Sequence, residues 1–193
     1  MKSGSYAHAA LWCDAVEASL HSRLAVGDVH ALSTLYRQHH EAVRAFARRL
    51  LGNATIAEDL VHDVFLSAPS AFRGYRGDSQ VRTFLLSIAV NKAKHQLRAA
   101  TRLRRALERL GGERPAPPPD TPDEASERRE LCEELQRALD ALPIEQRVVV
   151  VLCAIEERTA TEAAEIVGAP VHTVRTRLCP AKRKLRELIG GET

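Results

Sequence analysis

Thr161-Glu-Ala-Ala-Glu-Ile-Val-Gly168-Ala-Pro170-Val-His-Thr-Val-Arg175-Thr-Arg-Leu-Cys-Pro180-Ala-Lys-Arg-Lys-Leu-Arg-Glu-Leu188 reads as two short helices joined at Gly168. Pro170 suits the first turn of the second helix, because its fixed φ is already helical and its missing N–H would be unsatisfied there anyway. That second helix carries Arg175, Arg177, Lys182, Arg183, Lys184 and Arg186 against Glu187. A short support followed by a basic helix is a helix-turn-helix, whose second helix is suited to a major groove. DNA is therefore the first partner to consider.

The remainder of the chain carries charge in blocks. The 193 residues have a net charge of only +3. Residues 73–109 nevertheless set Arg73, Arg76, Arg82, Lys92, Lys94, Arg98, Arg102, Arg104, Arg105 and Arg109 against Asp78 and Glu108, about +8. From Glu113 to Glu145 the sign reverses to about −6. Two basic segments around an acidic one suggest two contacts with a polyanion and a spacer that avoids it. Cys13, Cys132, Cys153 and Cys179 are widely separated, so neither a zinc site nor a disulfide framework is indicated, and reduced thiols are expected. Adjacent His39 and His40 would point to different helix faces, and no metal or other cofactor is expected. The sequence has neither an 18-residue apolar run nor the basic start and apolar core of a signal peptide. A soluble, cytoplasmic protein is expected.

Five of the nine prolines fall between Gly111 and Asp123 among acids, which marks a solvated linker. The chain is thereby divided into an N-terminal extension (1–22), a first module (23–110), the linker (111–127) and a second module (128–193). In the first module Leu32, Leu35, Tyr36, Val43, Phe46, Ala47, Leu50 and Leu51 recur at helical spacing, and Gly52-Asn53 supplies a stop. A second helix begins near Ile56, with Leu60, Val61, Val64 and Phe65 on one side and Glu58, Asp59 and Asp63 on the other; Pro69 limits its regular continuation. Phe72-Arg-Gly-Tyr-Arg-Gly-Asp-Ser79 reads as a loop, in which Asp78 or Ser79 would cap a third helix with Val81, Phe84, Leu85, Ile88 and Leu97 inward.

Downstream, Leu131, Leu135, Leu139 and Leu142 form an amphipathic pattern that ends before Pro143. Propensity alone makes Val148-Val-Val-Val-Leu152 a strand. An isolated strand could not satisfy its backbone in a chain otherwise patterned at 3.6 residues, so a helix is expected. The fold class is all-α: two small helical domains joined by an acidic, proline-rich linker.

The ordered set of Ala57-Glu-Asp-Leu-Val-His-Asp-Val-Phe65, the Phe72–Ser79 loop, Arg82-Thr-Phe-Leu85, Ile88-Ala-Val-Asn91, a linker and a C-terminal helix-turn-helix resembles an extracytoplasmic-function (ECF) sigma factor of bacterial RNA polymerase, of the sigma-70 family. The likeness runs over about residues 23–189 and includes Ala25-Val-Gly-Asp28. It implies a transcription-initiation factor without enzymatic activity of its own, partnered by core RNA polymerase, promoter DNA and an anti-sigma factor. It assigns core-polymerase binding, on the clamp of the largest subunit, to Glu58, Asp59, Leu60, Asp63, Val64 and Phe65. For Leu60, Val61 and Phe65 simple core packing is the favoured account, whereas for the acids a solvated face and a binding surface fit equally well.

The resemblance assigns the minus-ten element to Tyr75, Arg76, Gly77, Asp78 and Ser79 of the loop, which would capture a flipped base, and to Asn91, Lys94, His95 and Arg98 of the following helix. A polar concave loop with aromatic or guanidinium groups suits an extruded base, and cations suit phosphates. Arg102, Arg104 and Arg105 would add sequence-independent attraction. The minus-thirty-five element falls to Thr173, Arg175, Thr176, Arg177, Lys182 and Arg183, since arginine can bind guanine bidentately. Val174 and Leu178 read as the buried side. Phe84 stands where the family has tryptophan. Glu157 and Arg158 stand where a glycine and an apolar residue are common, and Pro180, in place of a basic residue, should kink or end its helix. Two other readings share this layout: a regulator that never meets polymerase, and a protein that sequesters a partner and has lost promoter activity.

Overall fold

The computed structural model describes residues 22–109 and 126–190. The N-terminal extension up to residue 21, the linker up to residue 125, Cys13 and the side chains of Arg104 and Arg105 lie outside the described residues. All regular structure among the described residues is helical: α1 (Val29–Leu51), α2 (Ala54–Phe72), α3 (Val81–Arg109), α4 (Ser126–Asp140), α5 (Ile144–Val150), α6 (Ala160–Val167) and α7 (Val171–Ile189). Positions 126 and 127, expected in the linker, already belong to α4.

Local chemistry sets the ends of the first two helices. Asp28 accepts from the N–H groups of His30 (2.8 Å) and Ala31 (3.3 Å), which caps α1. Gly52 ends it with φ 70, a left-handed conformation open to glycine, and a Cβ there would also collide with the Gln136 side chain of α4. Asn53 then caps α2 by accepting from the Ile56 N–H at 3.0 Å. That helix runs through Pro69 to Phe72, further than expected. The proline removes one donor to the Phe65 carbonyl, but Ala68 and Phe72 are buried and hold the last turn in place. Helix α3 starts without the expected Asp78 or Ser79 cap; its first turn closes on the Gln80 carbonyl, which accepts from the Phe84 N–H at 3.0 Å.

Helices α1, α2 and α3 pack together around Leu35, Phe46, Leu50, Leu60, Val64, Leu85 and Ala89, all fully buried. Tyr36, expected in this core, is 43% exposed: it stacks on His40 with ring centroids 4.7 Å apart and meets Phe65 edge-on at 4.9 Å. In the second module Leu139 and Leu142 bury, whereas Leu131 and Leu135 of the same stripe stay exposed. Val148 to Leu152 are helical and buried on all sides, which is why no periodicity appears in their sequence. The regular α-helix stops at Val150, and Val151–Ile155 form a π-turn in which the Glu156 N–H reaches the Val151 carbonyl at 2.9 Å.

The two unusual residues that follow are accommodated differently. Glu157 adopts φ 55, the left-handed position where glycine would be free of strain. Arg158 bonds Glu162 at 3.1 Å and so joins a capping box. In that box Thr159 accepts from the Glu162 N–H, and the Glu162 carboxylate accepts from the Thr159 N–H at 2.8 Å. These bonds hold Glu162 below the usual carboxylate range. Because Glu157 is exposed and contributes no buried packing, Glu157→Gly is expected to stabilise the protein by about 0.5–1 kcal/mol, read as a higher urea midpoint at unchanged slope. A lower midpoint would show that the left-handed backbone there is not strained.

Gly168 closes α6 with φ 63, and α7 begins after Pro170 as its N-cap. Helix α7 does not end at Pro180 but continues to Ile189, with Val174 and Ala181 fully buried on either side of the proline. Helix α6 also packs on α3, and the buried residues of both modules belong to one continuous apolar cluster. Two ion pairs cross the junction, Arg49 with Glu156 and Arg98 with Glu145 at 2.5 Å.

Candidate nucleic-acid interface

The loop assigned to base capture rests on an aromatic triangle. Phe72, Tyr75 and Phe84 meet with ring centroids 5.2, 5.1 and 4.6 Å apart, and the Tyr75 hydroxyl donates to the Ser79 carbonyl. Tyr75 is therefore half-buried, with its ring packed beneath the loop and its hydroxyl tying the loop's two ends together. Arg76, Gly77 and Asp78 are exposed at the tip, where Gly77 has φ 80 and no neighbour within reach of a Cβ. The aromatic pocket that tryptophan would serve is filled by Phe84 with Tyr75 beside it.

Along α3, Asn91, His95 and Arg98 are exposed and Lys94 is half-buried. Spacing of three to four residues puts these groups on one helix face. Asn91 and His95 line a shallow cleft with Lys92, Gln96 and Asp63 of α2, so one residue assigned to polymerase sits against two assigned to the minus-ten strand. Glu58 bonds Arg44 at 2.5 Å and Asp59 is exposed. Leu60, Val64 and Phe65 are buried and shape this surface from beneath rather than forming it. The exposed apolar groups here are Leu66 (64% exposed) and Ile56, which sequence reasoning passed over. Leu66 carried a signal, standing alone beyond the apolar side of α2.

On α7, Arg175 and Thr176 are exposed, while Thr173 and Arg177 are half-buried. The Thr176 hydroxyl donates to the Thr173 carbonyl at 3.0 Å, which leaves its lone pairs for a donor from outside. Lys182 and Arg183 are exposed two turns further on. Val174 is buried and Leu178 partly so, as their spacing requires.

The two sets of cations meet at the module junction. Burial holds Lys94 below its ordinary range; the nearby charges of Arg177 and Arg98 act in the same direction and Glu145 opposes them. Burial tends to raise Glu145, but the hydrogen bond from Arg98 and the charges of Arg98 and Lys94 outweigh it and keep the carboxyl below its usual value. Glu145, counted in sequence as part of a spacer that avoids the polyanion site, instead lies on the basic face of α3.

A family profile described as Sigma-70 region 2 matches residues 35–103, and one described as Sigma-70, region 4 matches residues 132–185. The ECF RNA polymerase sigma factor EcfG of Rhodopseudomonas palustris is 30% identical over 148 residues, which cover 77% of this chain and 79% of that protein. The chain belongs to the ECF sigma factors of the sigma-70 family. The ECF RNA polymerase sigma factor SigM of Mycobacterium tuberculosis is 29% identical over 177 residues, covering 90% of this sigma factor and 85% of that one. The fold is that of the sigma factor RpoE from Bartonella quintana, solved in complex with the anti-sigma factor NepR: TM-score 0.62 at 24% identity, over 86% of this chain and all of that one. As a sigma factor the protein is a DNA-binding regulator that recognises promoters and initiates transcription. No helix among the described residues is long and apolar enough to cross a membrane.

Proposed function

We propose that this sigma factor divides promoter recognition between its modules, with residues 23–110 binding core polymerase and the minus-ten strand and residues 128–193 reading the minus-thirty-five duplex. The exposed Arg175 and Thr176, near the start of a helix set by the left-handed Gly168 turn, support the second assignment most directly. Asn91, Lys94, His95 and Arg98 take the melted strand, Asn91 by hydrogen bonds and the cations through phosphates. The loop from Tyr75 to Ser79 captures a base. Arg76, Asp78 and the backbone around Gly77 are the groups available to it, while Tyr75 supports them. Asp59 and Asp63 face a basic surface of the polymerase clamp, with Glu58 beside them and Leu60, Val64 and Phe65 underneath.

The protein works in the cytoplasm, performs no catalytic chemistry of its own, and answers to an anti-sigma factor. Reconstituted core polymerase, a duplex promoter and the same promoter with a pre-melted minus-ten bubble test the scheme by run-off transcription. Asn91→Ala is expected to lower output on the duplex and to recover partly on the bubble. Equal failure on both templates, accompanied by lost polymerase binding, would return Asn91 to a purely structural role.

A further inference from the structure

A cleft of about 860 Å³ opens where α3 passes the turn between α4 and α5, a size typical of small-molecule sites. Its walls are aliphatic. Leu51 and Leu97 line it from the first module and Leu142 and Ile144 from the second, and no aromatic side chain among the described residues reaches it. Its charge is one-sided: Arg98, Arg102, Arg147 and Lys184 stand against Asp140 and Glu145. Both acids are already taken, Asp140 by Arg147 at 2.6 Å and Glu145 by Arg98. Arg102 and Lys184 are left over, both exposed and neither in an ion pair among the described residues. Lys184 holds the Ala141 carbonyl at 3.0 Å, which leaves two of its three donors unused.

Arg147 supplies a second, independent observation. Its side chain is only 6% exposed, and its Nε and Nη2 are shut off from solvent without an acceptor. Asp140, which answers its charge, is itself 56% exposed. A buried guanidinium so incompletely paired is costly, and its field persists through an interior that screens poorly. An anion in the cleft would offset part of that cost without displacing either existing ion pair. We infer that this cleft binds an amphiphilic anion, a carboxylate or phosphate head on an unbranched aliphatic body, with Arg102 and Lys184 holding the head and the aliphatic walls covering the body. The guanidinium fork of Arg102 suits either head, and Lys184 adds a point charge. The walls decide the body. A nucleotide would bring a base that needs an aromatic or guanidinium plane to stack on, whereas a bare inorganic anion would leave the apolar lining in water. The site goes beyond promoter reading, since it draws on aliphatic side chains and on Lys184, to which no promoter contact is assigned.

Isothermal titration calorimetry of the full chain tests it with decanoate, kept below its micelle concentration, at a salt concentration of about 150 mM that screens loose surface attraction. Decanoate is expected to bind saturably, one per chain. Decylamine, with the same body and the opposite charge, and acetate, with a head and no body, are expected to give no saturable heat. Arg102→Gln combined with Lys184→Gln is expected to weaken decanoate by ~10-fold. Ala100→Trp, which fills the cleft from α3 without removing a charge, is expected to abolish binding. These positions are exposed, so the variants should keep the parent's helical circular dichroism. The inference is overturned if decanoate does not saturate, if decylamine binds as well, or if either folded variant binds decanoate as the parent does. Tighter binding of ATP than of decanoate, with the same loss in the double variant, would also overturn it by making the cleft a site for phosphates on any body.

Discussion

Replacing Asp59 and Asp63 together by lysine is expected to weaken binding to core polymerase by about 100-fold at low salt, with little change in the fold. Close charge pairs across an interface couple by about 1.5 kcal/mol or more each, so losing two corresponds to about 3 kcal/mol. Asp59 is exposed and makes no ion pair among the described residues, so its reversal leaves the interior untouched. Asp63 differs, because it lines the cleft shared with Lys92 and His95. A lysine there adds a cation beside Asn91, and affinity for the minus-ten single strand should hold or rise while polymerase affinity falls. That opposite movement separates a lost interface from a damaged fold. Titration against labelled core enzyme, with circular dichroism as the control for folding, decides it, and affinity within twofold of the parent would remove both acids from the interface.

The second large effect concerns sequence reading. Arg175→Ala is expected to cost about 1–3 kcal/mol on a matched minus-thirty-five duplex and to relax preference at one position. Lys182→Ala should weaken matched and scrambled duplexes alike and lower the salt slope by about one. Arg177→Ala should show a mixture of effects. It removes a candidate base contact and also relieves repulsion with Lys94 at the module junction, which favours the packed arrangement of the modules and adds to its loss on DNA. Duplex binding across salt concentrations distinguishes the three, and equal small losses for all of them on both duplexes would mean that α7 supplies charge without reading sequence.

What was legible in the sequence was local. The helix-turn-helix at Gly168, the stop at Gly52-Asn53 and the helical state of Val148 to Leu152 follow from turn chemistry, periodicity and the lack of any strand partner, and each is present. What depends on a neighbour was not legible. Tyr36 and Leu135 fit their apolar stripes but lie beyond the edge of what those stripes pack against, so they stay partly exposed. Pro69 and Pro180 stop helices when local bonds decide, yet here buried residues on both sides of each proline carry the helix through. Leu60 and Phe65 are buried, as the core-packing reading of their sequence favours, and Val64 is buried with them. The junction itself left no trace in spacing: no rule of periodicity couples Arg49 to Glu156 or Arg98 to Glu145, which lie 107 and 47 residues apart in the chain.

The π-turn at Val151–Ile155 has a consequence for how the second module is aimed. A hydrogen bond that spans five residues instead of four accommodates one residue more than a regular helix would, and each residue turns a helix by about 100°. Relaxing that segment to ordinary α-helix with no residue removed would advance everything downstream by one residue's rotation, and Glu156 would swing about a quarter-turn away from Arg49. The helix-turn-helix downstream would keep its own core, its capping box and its glycine turn, but it would be presented to the rest of the molecule from another side. Phase, rather than composition, thus decides which surface of this module looks inward: the π-turn absorbs one extra residue, and its loss without a compensating deletion would reorient a DNA-reading unit without changing any residue that reads.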